Sequence, residues 1–318
     1  MSRLTHVTSG PYAPPAPAGE LTVVSADGAR LHVEVHGPED APPVVLAHGW
    51  TCSTAFWAAQ IRELAVDHRV IAYDQRGHGR SPASPACTTQ ALADDLEAVL
   101  AGTLAREERA VIVGHSMGGM TVMAAAARPR FREHAAAVLL CSTGSSRLVA
   151  EALVLPLRAG GPRTWLTAHV LASRAPLGPV TPLALRILKY ATMGPDSAPH
   201  MVEACARIVH ACPRAVRHAW AHVLARLDLD HGVRELTAPT AVVTGTADRL
   251  TPPVHARALI AALPHPLGLT ELPGVGHMTP VEAPELVNGK IRELVTAYVT
   301  GAPEEAGADG PERIKESS

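Results

Sequence analysis

Between Ala110 and Arg128 the chain passes from four apolar residues, Ala110 to Val113, through Gly114-His115-Ser116-Met117-Gly118-Gly119 into an alanine-rich stretch. This pattern leaves little conformational freedom. Four residues covered on both faces read as a buried strand, and Met120 to Ala127, which lacks glycine and proline, reads as a helix, so the chain must turn sharply between them. Glycines at 114 and 118 make room where a side chain would meet neighbouring backbone. The turn holds Ser116 on a strained backbone, clear of the strand. The first amides of the helix point towards its hydroxyl and can stabilise negative charge developing there. Ser116 is the candidate nucleophile.

The surrounding chain repeats the strand-then-helix alternation. Val44 to Ala47, Val70 to Tyr73, Ala137 to Cys141 and Thr240 to Thr244 are further short apolar runs, and Gly268 to Leu272 makes a last short strand. Thr54 to Ala65 and Thr88 to Leu100 read as helices between them, which predicts a doubly wound, mostly parallel sheet. Leu21 to Ser25 and Arg30 to His36 alternate around Ala26-Asp27-Gly28 and predict an antiparallel hairpin at the sheet edge, for eight strands in all. From Ser145 to Thr237 the alternation stops. Four apolar helical windows, Thr164 to Ser173, Pro182 to Thr192, His200 to His210 and Arg214 to Leu227, predict a helical cap inserted between two strands. Ala283 to Val299 reads as a closing helix. The division is therefore 1–19 as a flexible proline-rich arm, 20–144 and 238–300 as the core, 145–237 as the cap, and 301–318 as a disordered tail.

Composition removes several classes of function. A net charge of -2 over 318 residues, with no basic run, argues against nucleic acid as a partner. Five scattered cysteines form no zinc spacing or disulfide framework. The N-terminus has no signal-type apolar segment and no stretch is apolar for about 20 residues, so a cytoplasmic protein without a membrane span is expected. His218 and His222 stand four apart with His210 nearby, but no carboxylate completes a metal set, and no metal or cofactor is implied. Met193, Met201, Trp165 and Trp220 read as packing residues.

Ligands of such sheets bind beyond the carboxyl ends of the strands, and the remaining motifs all lie there: His48-Gly49-Trp50, Asp74 to Ser81, Gly245-Thr246-Ala247-Asp248 and Gly276-His277. With the Gly-His-Ser-Met-Gly turn, they resemble the α/β-hydrolase superfamily over about residues 20–300. The histidine before the serine, in Gly114-His115-Ser116-Met117-Gly118-Gly119, resembles serine esterases and monoacylglycerol-lipase-like enzymes. That resemblance implies a triad in the chain order serine, acid, histidine: Ser116 as nucleophile, Asp248 as acid and His277 as general base. The loop Ser142 to Ser146, where some relatives carry the acid, has no carboxylate. The backbone amides of Trp50 and Met117 are the expected oxyanion hole, and Trp50 and His115 are candidate substrate contacts. His48 reads as structural. Asp74 and Arg76 are suited to pair with each other or to cap backbone in a buried turn, and Glu271 and Glu282 read as bystanders.

The expected function is hydrolysis of a carboxylic ester with an apolar acyl or alkyl group, through a covalent acyl-enzyme. Serine rather than aspartate at the turn disfavours dehalogenase and epoxide hydrolase chemistry. Three alternatives stay open. One is other acyl chemistry on the same triad: lactone or thioester hydrolysis, perhydrolysis as in cofactor-free haloperoxidases, or carbon–carbon bond hydrolysis. The second is a non-catalytic ligand receptor on the same fold, and the third is a structural or interaction role. The partner is a small ester or acyl compound, and oligomeric state is open.

Overall fold

The computed structural model describes residues 12–301. Eight strands form one sheet: β1 (Gly19–Val24), β2 (Arg30–His36), β3 (Pro43–Ala47), β4 (Arg69–Tyr73), β5 (Ala110–His115), β6 (Ala135–Cys141), β7 (Thr240–Gly245) and β8 (Pro266–Leu272). Their order is β1-β2-β4-β3-β5-β6-β7-β8, parallel from β4 to β8 and antiparallel at β1 and β2. The hairpin expected at the edge is formed there. It turns through Gly28, whose φ of 84° is one that only glycine adopts without strain.

Helices α1 (Ala58–Leu64), α2 (Thr89–Thr103) and α3 (Met117–Ala125) follow β3, β4 and β5. Alternation within the apolar strands then divides the core in two. Val45, Ala47 and Ile112 face α2 and α3, whereas Val44, Leu46, Val111 and Val113 face α1 and the closing helix, and each set joins a separate apolar cluster. A period of two along strands buried on both faces is what a doubly wound sheet requires. The helix read as running to Ala127 ends at Ala125 instead. Pro129 opens the short α4 (Pro129–His134), and a residue before proline is biased out of helical backbone.

Between β6 and β7 lie α5 (Leu148–Glu151), α6 (Gly161–Leu171), α7 (Pro182–Thr192), α8 (Pro199–Ala211), α9 (Arg214–Leu224) and α10 (Asp230–Glu235). The two ends of this helical segment are pinned together. Ser146 bridges Asp228, the Leu229 N–H donates to the Ser145 carbonyl at 2.8 Å, and the Ser145 hydroxyl donates to Asp230 at 2.6 Å. After β7 come α11 (Pro253–Ala262), α12 (Thr279–Glu282) and α13 (Pro284–Val295). Residues 1–11 of the expected arm and 302–318 of the expected tail lie outside the described residues. Within the arm's described part, Tyr12 stacks on His200 and Ala13 accepts a hydrogen bond from Arg62. Among the described residues no helix is long and apolar enough to cross a membrane.

The turn after β4 corrects one expectation. Asp74 does cap backbone, accepting from the Thr54 and Arg80 amides at 2.8 and 2.7 Å. The pair with Arg76 is not formed, because the Arg76 side chain runs the other way, to Asp95 on α2 and to Asp27 in the hairpin turn. Arg76 and Asp95 are each 1% exposed. Arg76→Met would leave the Asp95 carboxylate buried without its partner, at a cost of about 3–5 kcal/mol. The loss is expected as a lower urea midpoint at unchanged slope, partly recovered by adding Asp95→Asn.

Candidate active site

The strand-to-helix turn is tight enough to exclude any Cβ at its glycines. A Cβ on Gly118 would lie 1.9 Å from the Ala47 carbonyl oxygen, and one on Gly114 would lie 2.6 Å from the Gly118 backbone. Ser116 between them sits at φ 51°, ψ -116°. Such a conformation costs of order 1–3 kcal/mol and persists only where the surroundings impose it. Here the Ser116 N–H donates to the Cys141 carbonyl at 3.0 Å, and its own carbonyl accepts from Thr143 Oγ1 at 2.7 Å. Among the described residues the hydroxyl makes no hydrogen bond, and Ser116 lines a cavity of about 510 Å³.

Because β3 lies beside β5 with Ala47 opposite Gly114, the loop after β3 runs alongside Ser116. A Cβ on Gly49 would lie 3.1 Å from Ser116 Cβ. Met117 is the first residue of α3, so its N–H has no acceptor within the helix. The Trp50 loop is held from behind by histidines. His48 Nδ1 donates to the Gly49 carbonyl at 2.7 Å while its Nε2 accepts from the Gln75 N–H at 3.0 Å, and His78 Nε2 accepts from the Thr51 N–H at 3.2 Å. Burial pulls His48 down to about 3 and His78 to about 4, so both are neutral wherever the protein is folded near neutral pH. His48 is fully buried and outside the cavity lining.

Asp248 and His277 come together from the loops after β7 and β8. His277 Nδ1 donates to Asp248 Oδ2 at 2.8 Å, and the carboxylate is oriented by the Leu250 and Thr251 amides at 2.8 and 2.9 Å and the Thr251 hydroxyl at 2.8 Å. With its proton on Nδ1, the neutral ring keeps Nε2 as an acceptor. His277 lines the same cavity as Ser116. Catalytic hydrogen bonds are often long or unformed before substrate binds, so the missing Ser116 bond does not disqualify His277 as the candidate base.

The backbone of His277 is gripped on both sides. Its N–H donates to the Thr192 carbonyl at 2.9 Å, and its carbonyl accepts from His115 Nε2 at 2.9 Å. His115 lines the cavity, yet its ring is 1% exposed and stacked on Phe56 at 4.5 Å. Burial first, and the neighbouring His277 second, push it well below the usual histidine range. Trp50 also lines the cavity, with its indole N–H donating to the Arg217 carbonyl at 3.2 Å.

Glu282, read from the sequence as a bystander, organises this loop from outside the cavity. One carboxylate accepts from the Gly194 N–H at 2.7 Å, the Ser197 hydroxyl at 2.6 Å, and the Gly276 and Met278 amides at 3.1 Å each. The α7–α8 turn and the His277 loop touch backbone to backbone there. A Cβ on Gly276 would lie 2.3 Å from the Met193 backbone. A glutamate six residues after Gly276 carries no local signal for such a role, and neither do Thr143 and Thr251. Glu271, in contrast, pairs at the surface with Arg257.

Two groups invite a metal. His218 donates through Nδ1 to the Ala172 carbonyl and meets His222 edge-on at 4.5 Å, a helix-packing arrangement without a carboxylate. Glu20, His32 and Glu34 converge at the sheet edge, where Arg80 lies 2.6 Å from Glu20 and 3.8 Å from Glu34 and already supplies the countercharge.

A model described as the alpha/beta hydrolase family matches residues 44–290. The "Putative carbamate hydrolase RutD" of Variovorax paradoxus is 31% identical over 273 residues, 83% of this chain and 96% of that one. The "3-oxoadipate enol-lactonase 1" of Acinetobacter baylyi is 33% identical over 103 residues, 32% of this chain and 38% of that protein. Among solved structures, a thermophilic esterase from Thermogutta terrifontis superposes with a TM-score of 0.70 at 27% identity, covering 87% of this chain and 98% of that one.

Replacing Glu282 by alanine would leave buried amides without an acceptor, each worth about 1–3 kcal/mol. The expected outcome is faster amide hydrogen exchange at Gly194, Gly276 and Met278, ahead of any change in the strands of the sheet.

Proposed function

The chain belongs to the alpha/beta hydrolase family, and from that premise we propose that it is a serine hydrolase cleaving carboxylic esters with an apolar acyl or alkyl group. The observation that carries the reading is the His277–Asp248 hydrogen bond in the wall of the cavity that Ser116 also lines. Ser116 Oγ attacks the acyl carbon and its proton passes to His277 Nε2. The Trp50 and Met117 amides hold the oxyanion, and removing one such donor typically costs about 3 kcal/mol of barrier. Asp248 stabilises the imidazolium, which then protonates the departing alkoxide. Water, deprotonated by the same ring, attacks the acyl-enzyme, and the carboxylic acid leaves as Ser116 regains its proton.

The preference for an apolar group rests on the cavity wall. Leu148, Leu171, Leu188, Leu224 and Met278 line it, contributed largely by the helical segment between β6 and β7, which serves as the cap. A cap over the serine limits the access of bulk water and strengthens the electrostatic interactions inside the site. A lactone is the second reading, favoured by the stretch similar to an enol-lactonase, and needs no change of mechanism. A small polar carbamate would leave most of a cavity of about 510 Å³ unfilled.

Incubation with a fluorophosphonate is expected to add one phosphonyl group to the protein and none to Ser116→Ala, as read by intact mass. Ser116→Ala is expected to lower kcat/KM on p-nitrophenyl esters by roughly 10⁴-fold, with Asp248→Asn close behind. An unlabelled folded protein would instead favour the ligand-receptor class.

A further inference from the structure

Three arginines are buried among the described residues: Arg76, Arg163 and Arg217. Arg76 has two carboxylates, and Arg163 lies outside the cavity wall. Arg217 is different. Carried by α9, it is 7% exposed and lines the cavity shared by Ser116 and His277. It forms no ion pair among the described residues. Its Nη2 donates to the backbone carbonyls of Ser173, at 3.3 Å, and Ala175, which line the same cavity. Its Nη1 and Nε make no hydrogen bond among the described residues.

A guanidinium is charged at every accessible pH, and burying it without an anion is costly. Two carbonyl dipoles orient one nitrogen and leave the charge uncompensated. The position is also well defined. The Arg217 carbonyl accepts from the Trp50 indole, whose backbone follows Gly49 beside Ser116. A second, independent feature lies in the charge of the roof. Residues 145–237 hold eleven arginines and lysines against six aspartates and glutamates, in a chain whose net charge is -2. A positive surface around a low-dielectric cavity focuses the field and draws anions to it.

We infer that the ester this site takes carries a carboxylate of its own, paired with Arg217 inside the cavity, while the apolar wall takes the carbon chain between that carboxylate and the acyl carbon. The inference rests on the serine-hydrolase reading and narrows it. A planar guanidinium with free N–H groups matches a carboxylate in two parallel hydrogen bonds. Arg217 is a specificity residue in this account: it selects the ester and takes no part in bond making.

The test compares 4-nitrophenyl hydrogen glutarate with its methyl-capped neutral counterpart. The protein is expected to prefer the anionic ester by about tenfold or more in kcat/KM, as charge-assisted hydrogen bonds allow. The preference is expected to shrink with added salt, to vanish in Arg217→Gln and to survive in part in Arg217→Lys. The Lys variant matters because a purely structural tie to Ser173 and Ala175 would lower both esters together and leave their ratio unchanged in either variant. A second measurement is independent of turnover: calorimetry of heptanoate binding to the Ser116→Ala protein, expected to be detectable there and lost when Arg217→Gln is added. Equal use of the two esters, a preference that outlasts Arg217→Gln, or no heptanoate binding would each overturn the inference. Failure of the hydrolase reading looks different: no phosphonyl adduct and no turnover of either ester, with heptanoate binding still dependent on Arg217.

Discussion

The Ala47 carbonyl and the backbone of Gly118 approach so closely that a single added carbon would sit 1.9 Å from the oxygen. The site depends on this contact. It presses the start of α3 onto the end of β3, which brings Gly49 and Trp50 beside Ser116 and aims the first amides of α3 at the same space. Ser116 bears the strain of the turn because Cys141 and Thr143 hold its backbone on the far side. The candidate nucleophile and both expected oxyanion donors are therefore positioned by main-chain packing, which shifts far less than side-chain rotamers would.

The candidate base is held by a different construction. His277 lies on a loop beyond the edge strand β8, where a sheet gives little support, and it is fixed by the Thr192 carbonyl, by His115 and by the four donors gathered on Glu282. Two of those donors belong to the turn between α7 and α8. The helical segment and the His277 loop thus share one carboxylate, and a displacement of α7 would be felt at the histidine backbone. This coupling gives the helical segment a route to the candidate base as well as to the cavity.

What the sequence made legible follows from what is local. Continuous burial on both faces of β3, β4 and β5, the turn at Gly28, and glycines flanking a serine are each decided within a few residues, and all are found where expected. The contacts that complete the site join distant positions. Arg76 reaches Asp95 rather than Asp74 because α2 packs over the turn, and Glu282 reaches Gly194 across 88 residues. Neither partner can be read from spacing. Helical windows in the segment between β6 and β7 were legible to within a few residues, but their faces were not: Trp165, Leu183 and Ile187 are more than half exposed. Apolar residues there do not report burial, so the pattern that identifies a core strand says little about a cavity wall.

Four histidines lie in or behind the wall of the cavity, and three of them are kept neutral. His48, His78 and His115 are each 0–1% exposed, and desolvation holds all three far below the usual histidine range. Each also has a ring nitrogen committed to backbone, so none can turn to accept a proton from Ser116. His277 alone among them is hydrogen-bonded to a carboxylate, one whose remaining lone pairs are filled by Leu250 and Thr251. A carboxylate so placed fixes the ring's orientation and its proton on Nδ1, leaving Nε2 as an acceptor. The same burial that neutralises three rings removes their charge from the cavity, which leaves the guanidinium of Arg217 as the permanent positive charge among its lining residues.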